Sequence, residues 1–131
     1  QEALDLLNFE GNAQGLRILT KLHFVIDRYG MNLTTGVLNS IIKYPISSLE
    51  LGNKKFGGKK IGYFKAEENT FNYIVNSTKI GKNRNPLVYI LEAADDIAYL
   101  LGDLEDAFSK KIFSHELFKN KYREFIKEEG Y

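Results

Sequence analysis

The sequence predicts an all-α protein. Three observations carry that expectation. Apolar residues recur at three- and four-residue intervals, the spacing of a helix face. Only two prolines occur in 131 residues, which favours long helices. The breaks between periodic segments are short and carry turn residues, as at Tyr29-Gly30.

Each element follows from its residues. Residues 8–23 place Phe9, Ala13, Leu16, Leu19 and Leu22 on one helical face, and Tyr29-Gly30 breaks the pattern. Asn32 or Thr34 can cap a short helix through Val37, Leu38, Ile41 and Ile42, which Pro45 ends. Residues 47–62 read as a loop or hairpin-like segment. It holds four glycines (Gly52, Gly57, Gly58, Gly62) and four lysines (Lys54, Lys55, Lys59, Lys60). Residues 67–78 read as helix and residues 81–85 as a turn. Pro86 suits the first position of the next helix, the longest, running to about Lys111. A last helix starts near Ser114, with Ser-x-x-Leu instead of a full capping box, and frays near Gly130.

Composition bounds the function. With 44% hydrophobic and 27% charged residues the chain is expected to be an ordinary globular domain, and its length allows one domain at most. A net charge of +1 does not point to a general nucleic-acid binder, although it leaves nucleic acid open. The chain has no cysteine, which excludes disulfides and thiolate metal sites and fits a reducing, cytoplasmic setting. No apolar run approaches the roughly 20 residues that span a bilayer, and residues 1–7 do not read as a signal peptide. A chain beginning at Gln1 without Met is expected to be trimmed. Neither repeats nor low-complexity stretches occur.

The longest helix concentrates the chemistry. With Asp95 at zero and about 100° per residue, Tyr99 falls near 40°, Asp103 near 80°, Glu92 near 60°, Asp96 near 100° and Asp106 near 20°. Ile90, Leu91, Ala94, Ile97, Ala98, Leu101, Leu104 and Phe108 cover the opposite arc. Such an acidic face is ordinarily a solvated one. Here, however, like charges at Glu92/Asp95, Glu92/Asp96 and Asp103/Asp106 oppose helix formation unless cations compensate them. A divalent ion or basic groups from elsewhere would do so. Glu105 falls inside the apolar arc and is expected to meet a basic partner in a buried or interfacial place.

Four motifs, in order, carry a resemblance: Phe9-Glu-Gly-Asn-Ala-Gln-Gly-Leu-Arg-Ile-Leu19; Leu33-Thr-Thr with Lys43-Tyr-Pro45; Lys60-Ile-Gly-Tyr-Phe64; and Glu92-Ala-Ala-Asp-Asp-Ile-Ala-Tyr99 followed by Asp103-Leu-Glu-Asp-Ala107. Together they resemble the deoxyguanosinetriphosphate triphosphohydrolase (dGTPase) family of the HD superfamily. The resemblance spans most of residues 9–107 and implies that residues 1–131 are the C-terminal-side portion of an HD-type domain. The fold implied is a partial HD-type helical bundle with a Lys/Gly-rich loop. The activity implied is metal-dependent hydrolysis of dGTP, or another deoxynucleoside triphosphate (dNTP), to the deoxynucleoside and inorganic triphosphate. A homo-oligomeric parent is implied as well.

The resemblance also implies roles. Asp95 ligates a divalent metal, Mg²⁺ or Mn²⁺, expected in the full-length parent only. Tyr99 packs on the sugar, and Asp103 accepts a hydrogen bond from its 3′-hydroxyl. Lys43, Tyr44 and Lys60 contact the triphosphate, with Asn12 close by. A lone Lys43 would ordinarily be a solvated surface lysine; only the Lys-Tyr-Pro motif reverses that. In the family a histidine and a His-Asp pair complete the metal site, upstream of the segment matching Phe9. The two histidines here, His23 and His115, are not followed by aspartate and read as packing, capping or exposed residues. Some relatives carry histidine at the Gly11 position. The chain alone is therefore expected to be inactive, with no catalytic residue of its own. The other class of reading is a helical nucleotide-sensing or protein-interaction module that has lost its metal centre.

Overall fold

The computed structural model describes residues 2–24, 28–52, 60–128 and 130. Among the described residues six α-helices follow in order: α1 (Glu2–Leu7), α2 (Gly11–Arg17), α3 (Thr35–Ile41), α4 (Glu68–Thr78), α5 (Pro86–Ser109) and α6 (His115–Glu128). Among the described residues there is no strand, only an isolated parallel bridge between Ser47 and Tyr63. The all-α class is thus the one the sequence predicts. Most of the glycine- and lysine-rich part of the 47–62 loop, residues 53–59 with Lys54, Lys55, Gly57, Gly58 and Lys59, lies outside the described residues. Two compact units divide the chain, Gln1–Leu91 and Glu92–Tyr131. No helix among the described residues is long and apolar enough to cross a membrane.

In the first unit, α1 is anchored by one buried carboxylate. Asp5 accepts a hydrogen bond from the Ser48 hydroxyl and from the backbone N–H groups of Lys65 (2.8 Å) and Ala66 (3.0 Å). Burial pushes its carboxyl up. The bonds from Ser48, Lys65 and Ala66 and the charge of Arg17 outweigh that and hold it below its ordinary value.

The expected helix over residues 8–23 is divided. Glu10 is extended, and its side chain accepts from the Asn12 N–H, so α2 starts only at Gly11. After Arg17 the chain widens into a π turn (Ile18–Leu22), closed by the His23 N–H on the Ile18 carbonyl at 2.9 Å. The Leu19 carbonyl accepts instead from the Met31 N–H at 2.9 Å. Gly30 lets the loop come that close: its φ is +66°, and a Cβ there would lie 2.3 Å from the Leu19 oxygen.

Thr34, not Asn32, caps α3, accepting from the Val37 N–H at 3.4 Å. The core packs α2, α3 and α4 through Leu16, Leu38, Ile42, Tyr63, Phe71, Ile74 and Val75. Tyr63 stacks on Phe71 with centroids 3.9 Å apart. Asn85 caps α5 by accepting from the Leu87 N–H at 2.9 Å, and its amide donates to the buried Asn39 of α3 at 2.7 Å. Pro86 is the first residue of α5, as expected.

In the second unit α5 ends at Ser109, and Ser114 caps α6 by accepting from the Leu117 N–H at 3.2 Å. Phe108, Phe113 and Phe118 cluster about the turn between them, with centroids 4.8 Å to 6.3 Å apart. His115 joins this cluster 5.8 Å from Phe108, whereas His23 is an exposed residue after the π turn. The apolar arc of α5 is only partly covered. Leu104 and Phe108 are half-buried, while Ile97 and Leu101 are exposed. Glu105, expected in a buried or interfacial place, is exposed.

Candidate functional site

Two separated motifs meet in the first unit. After α3 the chain turns through Lys43 and Tyr44 into buried Pro45 and Ile46. Residues 61–64, all buried, run alongside. The Gly62 N–H donates to the Ile46 carbonyl at 3.0 Å, and Ser47 pairs with Tyr63. Gly62 is required by the closeness: a Cβ there would lie 1.8 Å from the Tyr44 carbonyl oxygen. The Lys43-Tyr44-Pro45 and Lys60-to-Phe64 motifs are thus neighbours, although 15 positions separate Pro45 from Lys60. Lys43 and Tyr44 are half-buried and Lys60 is exposed.

A third motif joins them. Asn12, near the start of α2, donates from its amide nitrogen to both oxygens of Glu10, at 2.8 Å and 3.0 Å. Lys60 Nζ lies 3.4 Å from Glu10 Oε1. The same α2 is fixed to residues 64–67 by Arg17. Its guanidinium stands 4.3 Å over the Phe64 ring and forms a two-bond pair with the buried Glu67, at 3.1 Å and 2.9 Å. Lys21 adds a 3.2 Å bond to Glu67. These contacts tie the helix that carries Asn12 to the segment that follows Lys60.

Sequence reasoning passed over two residues here. Glu10 was read only as part of a motif, and its bridge to Lys60 spans 50 positions. Arg84 sits 4.6 Å over the Tyr89 ring and 5.9 Å from the Tyr44 ring, beside the Lys-Tyr-Pro turn. Its only sequence signal is a cation just before the α5 cap.

The second unit holds the acidic stripe. Asp95, Ala98, Tyr99, Gly102, Asp103 and Asp106 line an open depression of about 510 Å³ along α5. Ala98 and Gly102 lie one turn apart among its lining residues, and neither carries a long side chain. Tyr99 and Asp103 stand beside them. Asp95 is half-buried, whereas Asp96 is exposed and does not line the depression. Asp106 pairs with Lys110 at 2.7 Å, one turn on, so part of the like-charge cost is met locally.

The resemblance implies a metal at Asp95 in the full-length parent only. Among the described residues no group of three or more His, Asp or Glu side chains could hold one. A divalent cation gives up water only to several well-placed donors. The described residues therefore do not fit a metal site by themselves.

No family model matches the chain. It is similar, however, to curated relatives. It is 55% identical over 108 residues to a deoxyguanosinetriphosphate triphosphohydrolase-like protein of Listeria monocytogenes, covering 82% of this chain and 23% of the relative. It is 40% identical over 117 residues to a deoxyguanosinetriphosphate triphosphohydrolase of Yersinia enterocolitica, covering 86% and 22%. It is 41% identical over 124 residues to one of Klebsiella pneumoniae, covering 90% and 23%. The chain spans under a quarter of the length of these relatives. Identity of 55% across four-fifths of the residues is family-level likeness, and the chain belongs to the deoxyguanosinetriphosphate triphosphohydrolases and their triphosphohydrolase-like relatives.

Proposed function

We propose that the full-length protein containing this chain is an HD-type enzyme that hydrolyses dGTP, or several dNTPs, to the deoxynucleoside and inorganic triphosphate. The reading rests most on the adjacency of the Lys43-Tyr44-Pro45 and Lys60-to-Phe64 motifs across Gly62. A nucleotide triphosphate carries several negative charges over a length that needs more than one cation. Two lysines on neighbouring backbone segments, with the Asn12 amide beside one of them, match that need as mobile point charges.

In the proposed reaction a water oxygen bonds to the α-phosphorus as the bond from that phosphorus to the sugar's 5′-oxygen breaks; the water oxygen leaves on the intact triphosphate, and one of the water's protons goes to the 5′-oxygen. Lys43, Lys60, Asn12 and Tyr44 hold the triphosphate, and the two lysines neutralise the charge it gains. Tyr99 packs on the sugar, and Asp103 accepts from the 3′-hydroxyl. Their one-turn spacing lets them line a groove in sequence. Asp95 is proposed as one ligand of a divalent metal, Mg²⁺ or Mn²⁺, whose Lewis acidity suits attack at phosphorus. The remaining ligands are not among the described residues.

Product analysis tests this. The full-length protein, given each of the four dNTPs with Mg²⁺ or Mn²⁺, should release deoxynucleoside and tripolyphosphate in equal amounts. Release of mono- or diphosphate contradicts the proposed bond cleavage. Binding of dNTP without any turnover favours a nucleotide-sensing module instead.

A further inference from the structure

We propose that Glu10 is a positioning residue for triphosphate recognition. It sets the orientation of the Asn12 amide and the resting place of the Lys60 ammonium. The inference rests on the reading of Asn12 and Lys60 as triphosphate contacts and extends it to a residue with no assigned role.

The geometry is specific. Glu10 Oε2 accepts from the Asn12 backbone N–H at 2.8 Å, and Asn12 Nδ2 donates to Oε1 at 2.8 Å and Oε2 at 3.0 Å. Lys60 Nζ lies 3.4 Å from Oε1. The Glu10 side chain is 17% exposed, against 55% for Lys60. One carboxylate therefore serves three nitrogen groups from two motifs. An amide has distinct ends, and a carboxylate can only accept, so Glu10 holds the nitrogen end of Asn12 on its own side. That nitrogen carries two hydrogens. One hydrogen shared between the two carboxylate oxygens leaves the other for an anion beside Lys60.

A carboxylate near a triphosphate site would ordinarily repel the ligand. Here its charge is offset by Lys60 and by the two N–H donors of Asn12. What remains is geometry. The carboxylate keeps a long, rotatable lysine near the amide, which lowers the ordering cost of binding an anion between them. An N-cap alone does not need this arrangement. A shorter aspartate would cap α2 as well or better.

That difference supplies the test. Glu10→Asp in the full-length protein preserves the cap and withdraws the carboxylate from Lys60. Its unfolding midpoint should match the wild type. Its affinity for inorganic triphosphate, titrated by calorimetry, should fall roughly five- to tenfold, the coupling expected of side chains in one network. The KM for dGTP should rise with kcat little changed. In a Lys60→Ala background the further loss should shrink to less than about twofold. Should Glu10→Asp not fold, Glu10→Gln keeps the length and an acceptor for Asn12 and loses only the charge that attracts Lys60. It should then weaken triphosphate binding with the same dependence on Lys60. Unchanged or tighter triphosphate binding in the folded Glu10 variant, while Lys60→Ala binds weakly, overturns the role of Glu10 alone. Unchanged binding in Lys60→Ala and Asn12→Ala overturns the underlying triphosphate reading.

Discussion

Gly62→Ala probes the junction on which the candidate site is built. The new Cβ would lie 1.8 Å from the Tyr44 carbonyl oxygen, 2.8 Å from its carbon and 3.2 Å from Ile42 Cγ2. Favourable contact between heavy atoms begins near ~3.5 Å. Two of the three obstacles are backbone atoms, next to a buried Pro45, so no side-chain rotation relieves them. The segments must separate, which strains the Gly62-to-Ile46 hydrogen bond and the Ser47–Tyr63 bridge. Overpacking and one weakened hydrogen bond together cost roughly 2–4 kcal/mol. The assay is urea unfolding of the full-length variant, followed by titration with inorganic triphosphate. Both stability and affinity should drop. A variant within about 0.5 kcal/mol of wild type, the range of innocuous surface changes, would refute the close approach.

Further expectations concern single side chains in the full-length protein. Asp95→Asn should abolish metal-supported turnover, whereas Asp96→Asn, exposed and about 100° away on the helix, should be milder; loss of metal binding in Asp96→Asn alone would reverse the assignment. Lys43→Ala and Lys60→Ala should each weaken triphosphate binding by roughly 1–3 kcal/mol, the range for charged hydrogen bonds. Thermal stability should hardly change at exposed Lys60, and unchanged kinetics in both variants would leave the lysines as mere solvated charges. Asp5 has a folded pKa below its ordinary 3.8, so its contribution is present above about pH 4 and is lost as pH falls through the lowered value. Asp5→Asn should therefore cost stability at pH 7, and the gap to wild type should narrow as pH falls below 3.8; a gap independent of pH would mean the carboxylate charge is not what anchors α1.

The helices were legible because their signals are local. The Pro86 start of α5, the Thr34 cap and the Ser114 start of α6 each depend on residues within one turn. The α5 stripe was legible for the same reason, since a helix places residues 95, 99 and 103 together by its period alone. What stayed hidden depends on distant partners. Helix α1 is held by Asp5 reaching residues 65 and 66, some 60 positions away. The division of the 8–23 helix follows from Glu10 turning back as a cap, which apolar periodicity does not register. Gly62 reads as one glycine of a flexible loop until the Tyr44 carbonyl is seen against it. Glu105 was placed by the wheel in an apolar arc, but that arc is only partly covered and the side chain is exposed.

The most direct test of the account is turnover measured side by side for the 131-residue chain and the full-length protein. The chain carries proposed triphosphate and sugar contacts, while its described residues hold no cluster able to bind a metal. Lysines alone supply no nucleophile. With dGTP and Mg²⁺ or Mn²⁺, the full-length protein should release deoxyguanosine and triphosphate, and the 131-residue chain should release neither. Robust metal-dependent turnover by the chain alone, or none by the full-length protein with any dNTP, would contradict the account.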